Sequence, residues 1–175
     1  MATVSFDGVA VQVLTLVYAY VDGKVLTLER AATKTFLPGW LVGLGGKVEP
    51  GETVLEGAAR EFTEESGLVA KGLELRGSYT FMNTVASNRA GVIYLFVADG
   101  VEGEFKAEVE DGTLRWLTVA ELLANDKVMI DHKRWLGRIF ENRDHFACVG
   151  SWEERFTAVE WADSRRYFEG RVRAT

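Results

Sequence analysis

Between Gly46 and Leu68 the chain reads GKVEPGETVLEGAAREFTEESGL, and three glutamates crowd the last turns of a helix whose start and stop are both written in the sequence. Thr53-Val-Leu-Glu56 is a capping box, in which the threonine hydroxyl accepts an orphan backbone N–H and the glutamate reaches back to the cap, so a helix is expected from about Thr53. Val54, Leu55, Ala58, Ala59 and Phe62 recur at helical spacing as one apolar stripe, and Gly67 is placed to end the helix near Ser66. Glu61, Glu64 and Glu65 then fall side by side along one edge of the stripe, with Glu65 turned towards its apolar side. Like charges at these spacings repel by about 0.2–0.5 kcal/mol per pair, and the helix C-terminus already carries partial negative charge. A hard divalent cation, Mg²⁺ or Mn²⁺, turns that repulsion into shared coordination. An ordinary solvated acidic face is the competing reading of three glutamates by themselves. The turn Gly43-Leu44-Gly45-Gly46-Lys47 just upstream weighs against it, because glycines let a backbone approach whatever the carboxylates hold.

The whole spacing runs as glycine, five residues, Glu52, seven residues, Arg60-Glu61, an apolar Phe62, one residue, Glu64-Glu65, one residue, Gly67 and an apolar Leu68. It resembles the Nudix box, and GLGGKVEPGET followed by REFTEESGL is similar to the MutT-like branch that hydrolyses oxidised purine nucleoside triphosphates such as 8-oxo-dGTP. The resemblance implies an α/β fold, the α/β/α sandwich of a mixed β-sheet flanked by helices. It also implies Mg²⁺-dependent hydrolysis, with Mn²⁺ as substitute, of a nucleoside diphosphate linked to another group. A nucleoside triphosphate cut to monophosphate and pyrophosphate is the leading substrate; a nucleotide sugar or dinucleoside polyphosphate is the alternative. A nucleotide sensor that does not cleave is the alternative of another class, and the intact Arg60, Glu61, Glu64 and Glu65 speak against it.

In that scheme Glu61, Glu64 and Glu65 bind metal, the Gly45 carbonyl adds a ligand, Arg60 and Glu52 orient the glutamates, and Lys47 meets phosphate. Glu61 or Glu65 is the general base. Some members recruit a further carboxylate just before a tryptophan-bearing strand, and Glu110-Asp111 ahead of Leu114-Arg-Trp116 matches that place, with Asp111 as the candidate ligand; a plain acidic turn at 108–112 is the other reading. For the base, Thr15, Phe36 and Asp131 match the branch's nucleobase pocket, with helix N-capping as the other reading of Asp131. Three positions depart: Val42 replaces a usual asparagine, His132 a second acidic residue, and Met129 an aromatic that stacks on the base. These departures imply a different or broader nucleotide range.

Elsewhere the chain alternates apolar strands and short helices. Val9–Tyr20 and Lys24–Glu29 form a hairpin around Asp22-Gly23, 31–39 is a loop, and 73–82, 92–98 and 114–117 read as strands. Helices are expected over 119–124 and 132–141, and 146–149 with 156–160 as a late hairpin ahead of a tail carrying Arg165, Arg166, Arg171 and Arg173. Trp40, Trp152 and Trp161 read as packing residues ahead of base-stacking ones, and His132 and His145 as surface or packing residues. No repeat or linker divides the sequence, so residues 1–175 are expected to form one domain, with the box at 46–68 and a C-terminal hairpin and tail at 146–175.

A net charge of -6 excludes a protein built to hold long nucleic acid, while a free nucleotide remains compatible because bound cations reverse the local sign. The apolar run from Val9 to Val21 is broken by Gln12 and Thr15, and no basic segment precedes it, so neither a membrane span nor a signal peptide is expected. Cys148 is the single cysteine, which excludes an internal disulfide and points to the cytoplasm. The expected partner is a small nucleotide; oligomeric state is left open.

Overall fold

A computed structural model describes residues 4–6, 9–83, 89–141, 145–152 and 159–163. The chain opens with β1 (Val4–Phe6) paired to β2 (Val9–Val21), which turns at Asp22-Gly23 into β3 (Lys24–Arg30). Asp22 and Gly23 have φ of 50° and 77°, the two left-handed residues of a tight hairpin turn. β4 (Leu41–Val42) leads to α1 (Val54–Ser66), and β5 (Val69–Lys71), β6 (Glu74–Asn83), β7 (Arg89–Ala98) and β8 (Gly100–Glu102) follow. β9 (Glu108–Val109), β10 (Gly112–Thr118), α2 (Val119–Ala124), α3 (Ile130–Glu141), β11 (Phe146–Trp152) and β12 (Val159–Asp163) complete the described chain.

The main sheet has the order β12-β11-β6-β7-β2-β3-β10-β9, with β5 and β8 pairing separately. It is mixed: β2 runs parallel to β7 and β11 parallel to β6, and the remaining pairs are antiparallel. Alternation along β2 assigns the two faces. Val17 and Ala19 pack with Ala58 and Phe62 of α1, whereas Tyr18 packs with Trp135, Leu136 and Ile139 of α3. The result is the α/β/α sandwich expected from the sequence.

β2 and β3 stay paired only at Tyr20–Val25 and Val21–Lys24, beside their turn. Beyond that point they diverge, and the chain itself fills the wedge. β4 pairs with β3 at Leu28–Val42 and Glu29–Leu41, and the next residues cross to β2 through bridges at Val17–Leu44 and Leu14–Lys47. The glycine turn is thus built into the sheet, and α1 emerges from it.

Several expectations are corrected. Leu55 is 48% exposed, and the buried face of α1 is made by Gly57, Ala58, Phe62 and Ser66. Leu55 lies nearly in line with Phe62 but in the first turn of the helix, where the buried contact has not yet begun. Asp131 is the second residue of α3, not its cap, and its side chain lies outside the described part. Other readings agree with the structure: His132 is a buried packing residue, with its ring 4.7 Å from that of Trp135, and His145 is exposed at the surface. Trp40 carries the Lys127 ammonium 5.9 Å above its ring. The late hairpin pairs β11 with β12 over Phe146–Gly150 and Val159–Asp163; residues 156–158, the four tail arginines and the side chains of Trp152 and Trp161 lie outside the described part.

Candidate active site

The capping box holds as read. Thr53 Oγ1 accepts from Glu56 N–H at 3.2 Å, Thr53 N–H donates to Glu56 Oε2 at 2.7 Å, and Gly67 stops the helix at φ 70°. Both ends of α1 are therefore fixed by local chemistry. That fixes which residues meet the glycine turn.

Glu65 is half-buried, and its Oε2 accepts from Gly45 N–H at 2.7 Å. Glu61 lies under Gly46, where an added Cβ would come within 2.5 Å of Glu61 Oε2. Only a residue without a side chain allows that approach. Burial pushes the Glu65 carboxyl up to about 7; the Gly45 N–H opposes the shift and the Glu61 charge adds to it, while Arg30 and Lys34 pull it down.

Arg60 organises the other carboxylates. Its Nε and one terminal nitrogen grip Glu52 at 3.1 and 2.8 Å, that nitrogen also donates to the Lys47 carbonyl at 3.0 Å, and the other terminal nitrogen reaches Glu61 at 3.1 Å and Glu64 at 3.0 Å. The bidentate contact holds Glu52 down at about 2, chiefly through the Arg60 hydrogen bond and then the Glu49 N–H, and raises Arg60 itself. The side chain of Glu64 is 59% exposed against 18% for Glu61. The three box glutamates therefore do not converge on one point. Glu61 and Glu65 face the glycine turn and Glu64 faces outward, and no group of three His, Cys, Asp or Glu among the described residues is gathered as a metal site. Asp111 sits in the β9–β10 turn and pairs with Lys34, while its carbonyl accepts from Ala31 N–H at 2.8 Å.

On the α3 face, the other side of the turn borders a cavity of about 630 Å³. Gly45, Gly46, Lys47, Thr15 and Phe36 line it, and so do Val42, Met129 and His132, the three positions of departure. Phe36 is 59% exposed at its rim, while Thr15 is buried and its hydroxyl has no hydrogen-bond partner. Gln12, Arg30, Tyr79, Phe81 and Ile93 also line the cavity and were not singled out from the sequence. Strand parity was the available signal for part of this, since Gln12, Leu14 and Leu16 are alternate residues of β2. Arg30 also donates from Nε to the Phe36 carbonyl at 2.9 Å, tying the rim loop to β3.

These residues suit a hard cation. The donors are all oxygen, the Glu61 charge adds to the cost of ionising Glu65, and the glycine cradle keeps their side of the turn clear of side chains. Glu61 and Glu65 with the Gly45 carbonyl would hold it from inside, and Glu64 on release from Arg60 from outside.

A model of the NUDIX domain family matches residues 11–139. An uncharacterised Nudix hydrolase of Bacillus subtilis (strain 168) is 34% identical over 103 residues, covering 58% of this chain and 62% of its own length. The oxidized purine nucleoside triphosphate hydrolase of Danio rerio is 33% identical over 158 residues, covering 85% of this chain and 96% of its own. Among solved structures, that of a MutT protein from Bacillus halodurans superposes with a TM-score of 0.75 over 86% of this chain and 97% of the other at 24% identity, a likeness of fold.

Proposed function

This chain belongs to the NUDIX domain family, and from that premise we propose that it is a Mg²⁺-dependent pyrophosphohydrolase cutting a nucleoside triphosphate to monophosphate and pyrophosphate, with oxidised purine nucleotides as first candidates. The observation that carries the reading is the pairing of a half-buried Glu65 and a close Glu61 under a glycine turn whose other side walls a nucleotide-sized cavity. The activity named for the Danio rerio relative, which aligns along nearly its whole length, supports the oxidised-purine choice.

Bound cations would lower the pKa of water and neutralise charge on the attacked and leaving phosphate oxygens. The chain does the positioning. Glu61, Glu64, Glu65 and the Gly45 carbonyl are the proposed ligands, with Asp111 as an outer carboxylate once Lys34 lets it go. Arg60, itself held by Glu52 and the Lys47 carbonyl, fixes the angle at which Glu61 and Glu64 are presented. Glu61 or Glu65 takes the proton from the attacking water; Glu65, whose carboxyl titrates near neutrality in the cation-free chain, is placed for that role. Lys47 meets phosphate at the cavity edge, Thr15 and Phe36 of the lining are proposed base contacts, and Asp131 is proposed as a third from the family resemblance alone. No described helix is long and apolar enough to cross a membrane.

Incubation with Mg²⁺ and a panel of ordinary and oxidised nucleoside triphosphates, nucleotide sugars and dinucleoside polyphosphates, with pyrophosphate and monophosphate release followed, tests the assignment. Glu61→Gln and Glu65→Gln are each expected to lower turnover about 100-fold or more with the fold retained by circular dichroism. Binding without turnover across the panel would make the chain a sensor, and unchanged rates in the variants would remove both glutamates from the site.

A further inference from the structure

We propose that Gln12 reads the hydrogen-bonding edge of the nucleobase from the floor of the cavity, an assignment that rests on the nucleotide reading above. Strand register puts the floor in rows across β6, β7 and β2. Gly77, Leu95 and Leu16 form one row, Tyr79, Ile93 and Leu14 the next, and Phe81, Gly91 and Gln12 the third and outer of these, the sheet running on past it through Asn83, Arg89 and Ala10. Leu95 and Tyr79 are buried, whereas Phe81 and Gln12 are half-buried. Leu16, Leu14 and Ile93 are half-buried as well, so the three rows all open to the cavity and Gln12 is the polar side chain among their half-buried residues.

Gly91 gives that outer row its character. A Cβ there would come within 2.6 Å of the Phe81 ring, so the ring edge lies over the glycine in the middle of the row, with the Gln12 position on its other side. An aromatic surface next to an amide is what a nucleobase needs, a face to stack on and an edge to bond. Elsewhere the lining is largely aliphatic and aromatic, with His132, Arg30 and Lys47 as polar residues beside Thr15 of the β2 backbone and no carboxylate among the described residues. A glutamine amide both donates and accepts, so it can turn to suit either arrangement on a base edge, which a carboxylate cannot do.

The spacing also fits. Thr15 N–H donates to the Gly46 carbonyl, so Thr15 marks the turn that holds the carboxylates, and Gln12 lies three residues back, about 10 Å along the strand. That leaves room for a sugar between phosphates at the turn and a base at Gln12.

Calorimetric titration with GMP, AMP, CMP, UMP and inorganic pyrophosphate, in Mg²⁺, separates the base from the phosphate. Gln12→Leu is expected to weaken the best-bound monophosphate about five- to tenfold, to narrow the spread among the four, and to leave pyrophosphate unchanged. Gln12→Glu, which keeps the volume and removes the donor, is expected to change the rank order of the four bases. An unchanged spread and order in both variants overturns the role of Gln12, and so does an equal loss for pyrophosphate, which would mark a structural effect. If the wild-type chain binds pyrophosphate and none of the four monophosphates, the nucleotide reading falls with it; if wild-type binding ranks the bases and the variants rank them alike, only Gln12 is misassigned.

Discussion

Burial separates Glu65 from the other carboxylates on its turn of helix, and it gives the cation-free protein a stability that depends on pH. The group titrates at about 7 in the fold against an ordinary 4.5, raised first by burial and further by Glu61. Between those values the folded chain holds a proton that the unfolded chain has lost. The contribution is complete below about pH 4.5 and disappears as pH rises through 7, at most about 3 kcal/mol in all. The urea midpoint of the cation-free protein is therefore expected to fall between about pH 5 and pH 8, Glu65→Gln to flatten that slope, and excess Mg²⁺ to restore much of the loss at the alkaline end. A wild-type midpoint that ignores both pH and Mg²⁺ would show that this carboxyl is not buried as described. Glu61, Glu64 and Glu65 were legible in the sequence because charge repulsion and a glycine turn leave local marks. Arg30 was not, and Gln12 was legible only as one of an alternate set with Leu14 and Leu16, because which face of a strand meets a cavity is decided by what packs against the sheet.

α1 is only 13 residues long, a length that is marginal for a helix on its own, so its caps and its packing must supply what propensity does not. Thr53→Ala removes the hydroxyl that accepts from Glu56 N–H and is expected to cost about 1 kcal/mol in chemical denaturation. The expected effect on kcat is small, since Glu61 and Glu65 sit about two and three turns further on and are held by Arg60, Gly45 and Gly46. A large fall in kcat with stability unchanged would place the cap, against this account, inside the catalytic geometry. The boundaries of this helix could be read because capping chemistry is local. Its buried face could not be read as well: periodicity assigns Leu55 inward with Phe62, while the contact made by Gly57, Ala58, Phe62 and Ser66 begins only after the first turn. An added Cβ at Gly57 would come within 2.9 Å of Glu52 Oε1, so that closeness also serves the Arg60–Glu52 contact.

At the scale of the molecule, local signals gave the β2–β3 hairpin and α2, but the parallel pairs β2–β7 and β6–β11 and the wedge filled by β4 join segments far apart in sequence and leave no periodic trace. The second parallel pair bears on where the folding unit ends. The family match stops at 139, yet β11 adds to the edge of β6 along its whole length. It buries Phe146 and Cys148 in the same cluster as Tyr79, Trp135 and Ile139, and Arg138 of α3 lies over the Phe146 ring at 5.5 Å. We propose that the C-terminal strands belong to the single domain. Deleting 142–175 removes those two buried side chains and bares the edge of β6, so the shortened chain is expected to lose at least about 3 kcal/mol in urea denaturation. It is also expected to self-associate more than the full chain on size-exclusion chromatography, because an unpaired strand edge is a template for another copy. Equal stability and an equal elution volume would make the last strands an appendage, and would leave the cavity floor at Tyr79 and Phe81 to be held by β7 alone.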